Sequence, residues 1–203
     1  MSRLLPHRFD GPCATLVAAL LLAAGCSERR EVKPATGRVV AVTAGKDVTP
    51  QAGFCDVAGR PQLFTWPPLA NAAKAPTLRG GLHWVNVWAT WCKPCVEEMP
   101  TLRQWQGKWR QAGLPVKMHF LSADSHADAL QRHQRQHPRT PASLRIAESA
   151  ELEDWLTTLG LDASAAIPLQ IIVDKTGRRR CVRAGPVKAE DFAGVERLLR
   201  SWR

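Results

Sequence analysis

Two periods of apolar residues run along most of the chain and predict its elements. His83-Trp84-Val85-Asn86-Val87-Trp88 is a β-branched and aromatic run of strand length behind Gly80-Gly81, which predicts a buried central strand. From Cys92 the period changes. Cys95, Met99, Leu102, Trp105 and Trp109 recur at helical spacing up to Gly113, the mark of an amphipathic helix whose N-terminus falls at Cys92. Further on, Val116 to Leu121 is predicted as a second strand, Leu169 to Val173 as a third and Cys181 to Arg183 as a fourth. Ala127 to His137 is predicted as a polar helix, Leu152 to Leu159 as another, and Asp191 to Trp202 as the closing one. An Asp174 to Gly177 turn joins the last two strands. Strands that alternate with helices and end in a hairpin predict an α/β fold with a central mixed sheet and helices on both faces.

The N-terminal pattern is of another kind. Arg3, His7 and Arg8 precede a small or apolar stretch from Cys13 to Ala24, a signal-peptide arrangement too short to span a bilayer. Leu22-Ala23-Ala24-Gly25-Cys26 resembles the bacterial lipoprotein processing motif, which implies a signal peptide over residues 1–25 and an acylated Cys26 as the first mature residue. An ordinary signal cleaved nearby, or an uncleaved anchor, are the alternatives, and each of them exports the rest of the chain. Residues 26–53 are polar, with scattered proline and glycine and no helical period. They read as a lipidated tether in which only Val39 to Val42 could form a strand. Residues 54–203 are left for the folded domain. The expected location is the cell envelope, with the domain facing the periplasm or extracytoplasmic space.

Composition narrows the class. With 203 residues, 45% hydrophobic and 23% charged, one packed domain plus an extension is expected. The net charge of +10 comes without a nucleic-acid motif, so it reads as a basic solvated surface and nucleic acid is not an expected partner. The densest run, Arg178-Arg179-Arg180, follows Lys175-Thr176-Gly177 and reads as a solvated turn.

With Cys13 in the signal and Cys26 lipidated, Cys55, Cys92, Cys95 and Cys181 remain. An oxidising compartment permits structural disulfides, and four cysteines allow three pairings. The favoured one joins Cys92 to Cys95 and Cys55 to Cys181, the second as a structural bridge. A four-cysteine zinc site would draw on two close pairs, whereas Cys55 and Cys181 are isolated.

Trp88-Ala89-Thr90-Trp91-Cys92-Lys93-Pro94-Cys95, with Pro100 in the following helix and Ile167-Pro168 before a strand, resembles the thioredoxin superfamily. Asn86, Glu98-Met99-Pro100 and the additional elements before Pro168 point to its TlpA-like exported reductases. The resemblance covers about residues 54–203. It implies a thioredoxin-like three-layer sandwich with an N-terminal β extension, a redox-active Cys92–Cys95 disulfide and no cofactor. It also implies a cis Pro168 that exposes the backbone of Ile167 to an extended substrate segment, flanked by Trp91. Leu169 departs from the threonine often found there in such proteins, which bears on substrate preference.

The residues support this chemistry. A helix N-terminus favours negative charge, so Cys92 is the candidate nucleophile, with Lys93 adding positive charge beside it. Cys95, three residues on, is the candidate resolving thiol. Pro94 fits the first helical turn and stiffens the loop, so Lys93 and Pro94 should tune the redox potential. Glu98 could accept the resolving proton, or face solvent and complement the helix dipole, a role for which Glu97 is the better candidate. Trp88 either flanks the site or packs in the core. His133 and His137 have the spacing of a metal pair, and His126 could share their face, but a solvated polar helix is favoured and no metal is expected.

The leading expectation is therefore a membrane-tethered thiol:disulfide oxidoreductase. It would reduce disulfides of exported clients such as apo-cytochromes, as in cytochrome c biogenesis, or metallochaperones. A DsbD-like membrane thiol transporter is the expected electron donor, and a monomer the expected state. The alternatives are a dithiol oxidase and a non-enzymatic lipoprotein binding copper or zinc through Cys92, Cys95 and a histidine.

Overall fold

The computed structural model describes residues 53–70 and 74–203. The expected signal peptide, Cys26 and the Val39 to Val42 strand lie outside the described residues. The strands are β1 (Gln62–Leu63), β2 (Leu82–Trp88), β3 (Val116–Ser122), β4 (Ser143–Arg145), β5 (Leu169–Val173) and β6 (Arg178–Ala184). The helices are α1 (Lys93–Gln111), α2 (Ala127–Gln136), α3 (Ser149–Thr158) and α4 (Phe192–Ser201). The strands form one sheet in the order β1-β6-β5-β2-β3-β4. β2 runs parallel to β3 and antiparallel to β5, so the sheet is mixed.

β2 is central because it can be covered on both faces; all seven of its residues are buried, as a strand with no polar face requires. Alternation sends Trp84 and Trp88 to one side, against Leu102, Trp105 and Trp109 of α1 and Val195, Leu198 and Leu199 of α4. Val85 and Val87 go to the other, against Trp155 and Leu156 of α3. Trp84 stacks on Trp109 at 5.7 Å, and Trp109 on Phe192 at 5.8 Å, so a column of rings bolts α1 and α4 to the sheet. Losing one such buried tryptophan side chain would cost about 3–5 kcal/mol. The predicted sandwich with helices on both faces is what the structure has, and polar α2 adds only Leu130 as a buried residue.

The basic run is a correction. Arg178, Arg179 and Arg180 are the first residues of β6 and not a solvated turn; the turn closes before them, with the Gly177 N–H bonded to Asp174 O at 2.9 Å. β1 pairs with Arg178 and Arg179. The Arg179 guanidinium donates to Gln62 Oε1 at 2.8 Å, and that of Arg180 lies over the Trp202 ring at 5.7 Å. Charge masked the strand because each guanidinium finds its partner only in the folded sheet.

Cys55 is joined to Cys181 across 126 residues of sequence. The same segment bonds to β6 through Asp56 N–H and Val57 N–H, both to Val182 O, so the stretch before β1 is tied to the sheet. A loop of that length gives about 4–5 kcal/mol in the chain-entropy account.

A histidine pair links β2 and β3 on the α3 side of the sheet. His83 Nε2 lies 3.2 Å from Arg79 O, which makes it the protonated nitrogen. His83 Nδ1 then accepts from His119 Nε2 at 3.0 Å. His119 is pushed down to about 4, by burial first and then by the charges of His83 and Lys117. Its folded-state value is lowered from 6.5, so the unfolded chain takes up the proton first. Stability is full above that value and falls as pH drops towards about 4. His119→Gln, whose amide can still donate to His83, removes the titration. The melting temperature of the natural chain should drop further between pH 7 and pH 4.5 than that of the variant, in scanning calorimetry. An equal drop in both would show that this pair does not carry the acid sensitivity.

Candidate active site

Strand β2 delivers the chain to the site and helix α1 takes it away. Between them, the loop from Ala89 to Trp91 is held by Asp124, a buried carboxylate just past β3. Asp124 accepts from Thr90 N–H at 3.1 Å, Thr90 Oγ1 at 2.6 Å and Ser122 Oγ at 2.8 Å. Sequence reasoning missed it; an acidic residue at the C-terminal end of a strand parallel to β2 was the available signal.

Cys92 is the N-cap of α1, with extended backbone angles. Its Sγ accepts from the Cys95 N–H at 3.3 Å, so one of the otherwise unpaired amides of the first turn points at the sulfur. That bond and the helix dipole both favour a thiolate there once the disulfide opens. Cys92 is joined to Cys95. Both cysteines are buried, Cys92 at 5% exposed and Cys95 at 0%, so it is the amide donor and the helix terminus that set the Cys92 sulfur apart. Pro94 occupies the first helical turn, where its missing N–H leaves no bond unmade. Lys93 does less than its position suggests. Its side chain is 85% exposed and its ammonium lies 3.6 Å from Glu97, so its charge is shared and screened by water.

Ile167 and Pro168 lead into β5, the strand paired with β2. Their peptide bond is cis, and the Ile167 carbonyl oxygen lies 3.7 Å from Cys92 Sγ. Trp91, 69% exposed, stands beside Cys92, whereas Trp88 is fully buried and belongs to the core.

Glu98 is buried, not solvent-facing. One turn beyond Cys95 on α1, it points into the sheet. Its carboxylate accepts from Asn86 Nδ2 at 2.7 Å, from Gln170 Nε2 at 2.9 Å and from the Val187 N–H at 2.8 Å. Burial pushes it up to about 7, against the opposing pull of these three bonds and of Arg183. Gln170 is in turn held by Trp84 Nε1, which donates to its Oε1 at 2.8 Å. Sequence reasoning found Glu98 and missed Gln170, although a lone polar residue inside Leu169–Val173 was a signal.

His133 and His137 have ring centres 4.5 Å apart, and His133 packs edge-on against Trp88. Among the described residues, no three His, Cys, Asp or Glu side chains converge as a metal cage. Nor is any described helix long and apolar enough to cross a membrane.

The fold has counterparts among known proteins. Two solved thiol-disulfide isomerases from Corynebacterium glutamicum superimpose with TM-scores of 0.50 at 20% identity. One, described as secreted, covers 69% of this chain and 86% of its own, and the other 70% and 95%. The chain has a thioredoxin-like fold. In sequence it is 26% identical over 101 residues to the thiol-disulfide oxidoreductase ResA of Bacillus cereus, 50% of this chain and 53% of that protein. The chain thus spans about half the length of the curated relatives it matches. No family model matches it.

A carboxyl group poised near neutrality one turn from Cys95 makes a kinetic prediction. The rate at which the reduced dithiol closes on a small disulfide should show an inflection near pH 7. Glu98→Gln should remove that inflection and slow the reaction by about 10²-fold. Stopped-flow tryptophan fluorescence across pH 5–9 reads both. An unchanged inflection in the variant would exclude Glu98 as its source.

Proposed function

We propose that this chain is a membrane-tethered thiol:disulfide oxidoreductase that reduces disulfides in exported client proteins. The observation that carries the reading is the placing of Cys92, disulfide-bonded to Cys95, at the N-cap of α1, where its Sγ accepts from the Cys95 N–H and lies 3.7 Å from the Ile167 carbonyl oxygen. The similarity to ResA supports the reaction class. Reaction starts from the dithiol. The Cys92 thiolate attacks one sulfur of the client disulfide, and the other sulfur leaves as a thiolate that takes a proton from solvent. The client is then held on Cys92 by a mixed disulfide. Cys95 gives its proton to the Glu98 carboxylate and attacks Cys92 Sγ, which releases the second client thiolate and forms the Cys92–Cys95 disulfide. Two electrons have moved to the client, and an external dithiol must restore them. Trp91, Ile167 and Pro168 present the client segment to Cys92, while Pro94, more than Lys93, sets the stiffness of the loop.

Cys55–Cys181 takes no part in this cycle, since it ties the N-terminal edge to β6 far in sequence from the redox pair. Under this reading the domain works outside the cytoplasm, anchored by a lipidated Cys26, as a monomer. A DsbD-like membrane thiol transporter supplies the electrons, and apo-cytochromes are a suitable client class. No cofactor enters any step.

The order of attack is directly testable. Cys95→Ser in the full chain, reduced and mixed with a disulfide-bonded test protein, should accumulate a covalent adduct mapped by mass spectrometry to Cys92. Cys92→Ser should accumulate none. An adduct on Cys95, or equal trapping by both variants, would reverse or abolish the assigned roles.

A further inference from the structure

The first three turns of α1 do more than carry the cysteines. Val96, Pro100 and Arg103 follow Cys92 on one stripe of the helix, at the spacing that keeps side chains on the same face. That stripe forms one wall of a cleft of about 690 Å³, whose other wall is α2 and the loop after it. The cleft therefore starts one turn from the redox sulfur, at Val96, and runs about 10 Å along α1 to Arg103 at 1.5 Å per residue. Its volume falls within the range that takes a small ligand or a few side chains.

The chemistry of the walls is one-sided. Val96, Met99 and Pro100 make an apolar floor, Arg103 and Arg139 stand at the far end, and His133 and His137 close the α2 side. No carboxylate lines it. The nearby acidic groups on the two helices are engaged elsewhere: Glu97 faces Lys93, and Asp128 is paired with Arg132. Arg103 is held at that end by its Nη1, which donates to Arg139 O at 2.5 Å.

We propose that this cleft docks an acidic, partly apolar segment of the client chain that flanks the disulfide being reduced. The proposal rests on the oxidoreductase reading above and adds to it a preference among clients. A segment with a carboxylate a few residues from its cysteine lays apolar side chains on Val96 and Pro100 and its charge between Arg103 and Arg139. Electrostatic attraction at such a rim speeds encounter and selects partners more than it tightens binding.

The test uses the full chain and two synthetic cystine peptides of equal length, one with glutamates and one with lysines flanking the disulfide. Hydroxyethyl disulfide serves as an uncharged third substrate. The natural chain should favour the glutamate peptide by roughly five- to tenfold in kcat/KM, a preference that fades in 0.5 M salt. Arg103→Glu with Arg139→Glu should turn the preference towards the lysine peptide. Because the readout is a ratio within one protein, a variant that merely folds poorly loses both rates and leaves the ratio alone. Equal rates for the two peptides with the natural chain, or a ratio that the double reversal does not move while turnover of hydroxyethyl disulfide is kept, would overturn the docking proposal. If the natural chain also failed to turn over hydroxyethyl disulfide, the oxidoreductase reading itself would fall.

Discussion

The carboxylate of Glu98, taken out of water between helix α1 and the sheet, is the interaction on which the site depends. Three donors from three separate segments converge on it: Asn86 from β2, Gln170 from β5 and the backbone of Val187. An ionised carboxylate without such partners would be too costly to bury. With them it is tolerable, yet burial still outweighs the bonds and holds the group near neutrality. The helix is thereby seated on the sheet one turn beyond the cysteines, and the same contact that seats it leaves a carboxyl group able to exchange a proton near neutral pH.

Two further constraints set the sulfurs apart. The loop that brings the chain from β2 to α1 is clamped by Asp124, so the start of the helix cannot wander. The helix then gives Cys92 an amide donor and the positive end of its dipole, while Cys95 lies beneath it, fully sealed. The amide and the dipole thus favour the Cys92 sulfur as the first to react. Lys93, placed beside it in sequence, contributes little, because a side chain in open solvent next to Glu97 is worth at most a fraction of a kcal/mol.

Much of this was legible beforehand. The run from His83 to Trp88 is apolar on both faces, and only a central strand can use such a run. The period from Cys95 to Trp109 reads as a helix without help from elsewhere. What stayed hidden depends on partners distant in sequence. β1 is two exposed residues and β4 three half-exposed ones, strands only because β6 and β3 lie alongside. The arginines at the start of β6 read as a turn, since nothing local reveals that Gln62 and Trp202 await them. Glu98 stood out by position, but the difference between a solvated and a buried carboxylate lay in Gln170 and Val187, far along the chain.

The central claim, that Cys92 and Cys95 form a couple that donates electrons, is a statement about potential. The direct measurement equilibrates the full chain in graded dithiothreitol and glutathione buffers, traps free thiols and assigns each alkylated cysteine by mass. A reversible Cys92–Cys95 couple near that of thioredoxin, about −270 mV, is the predicted result, with Cys55–Cys181 still closed at that point. A couple near that of DsbA, about −120 mV, would contradict it and make the protein an oxidase.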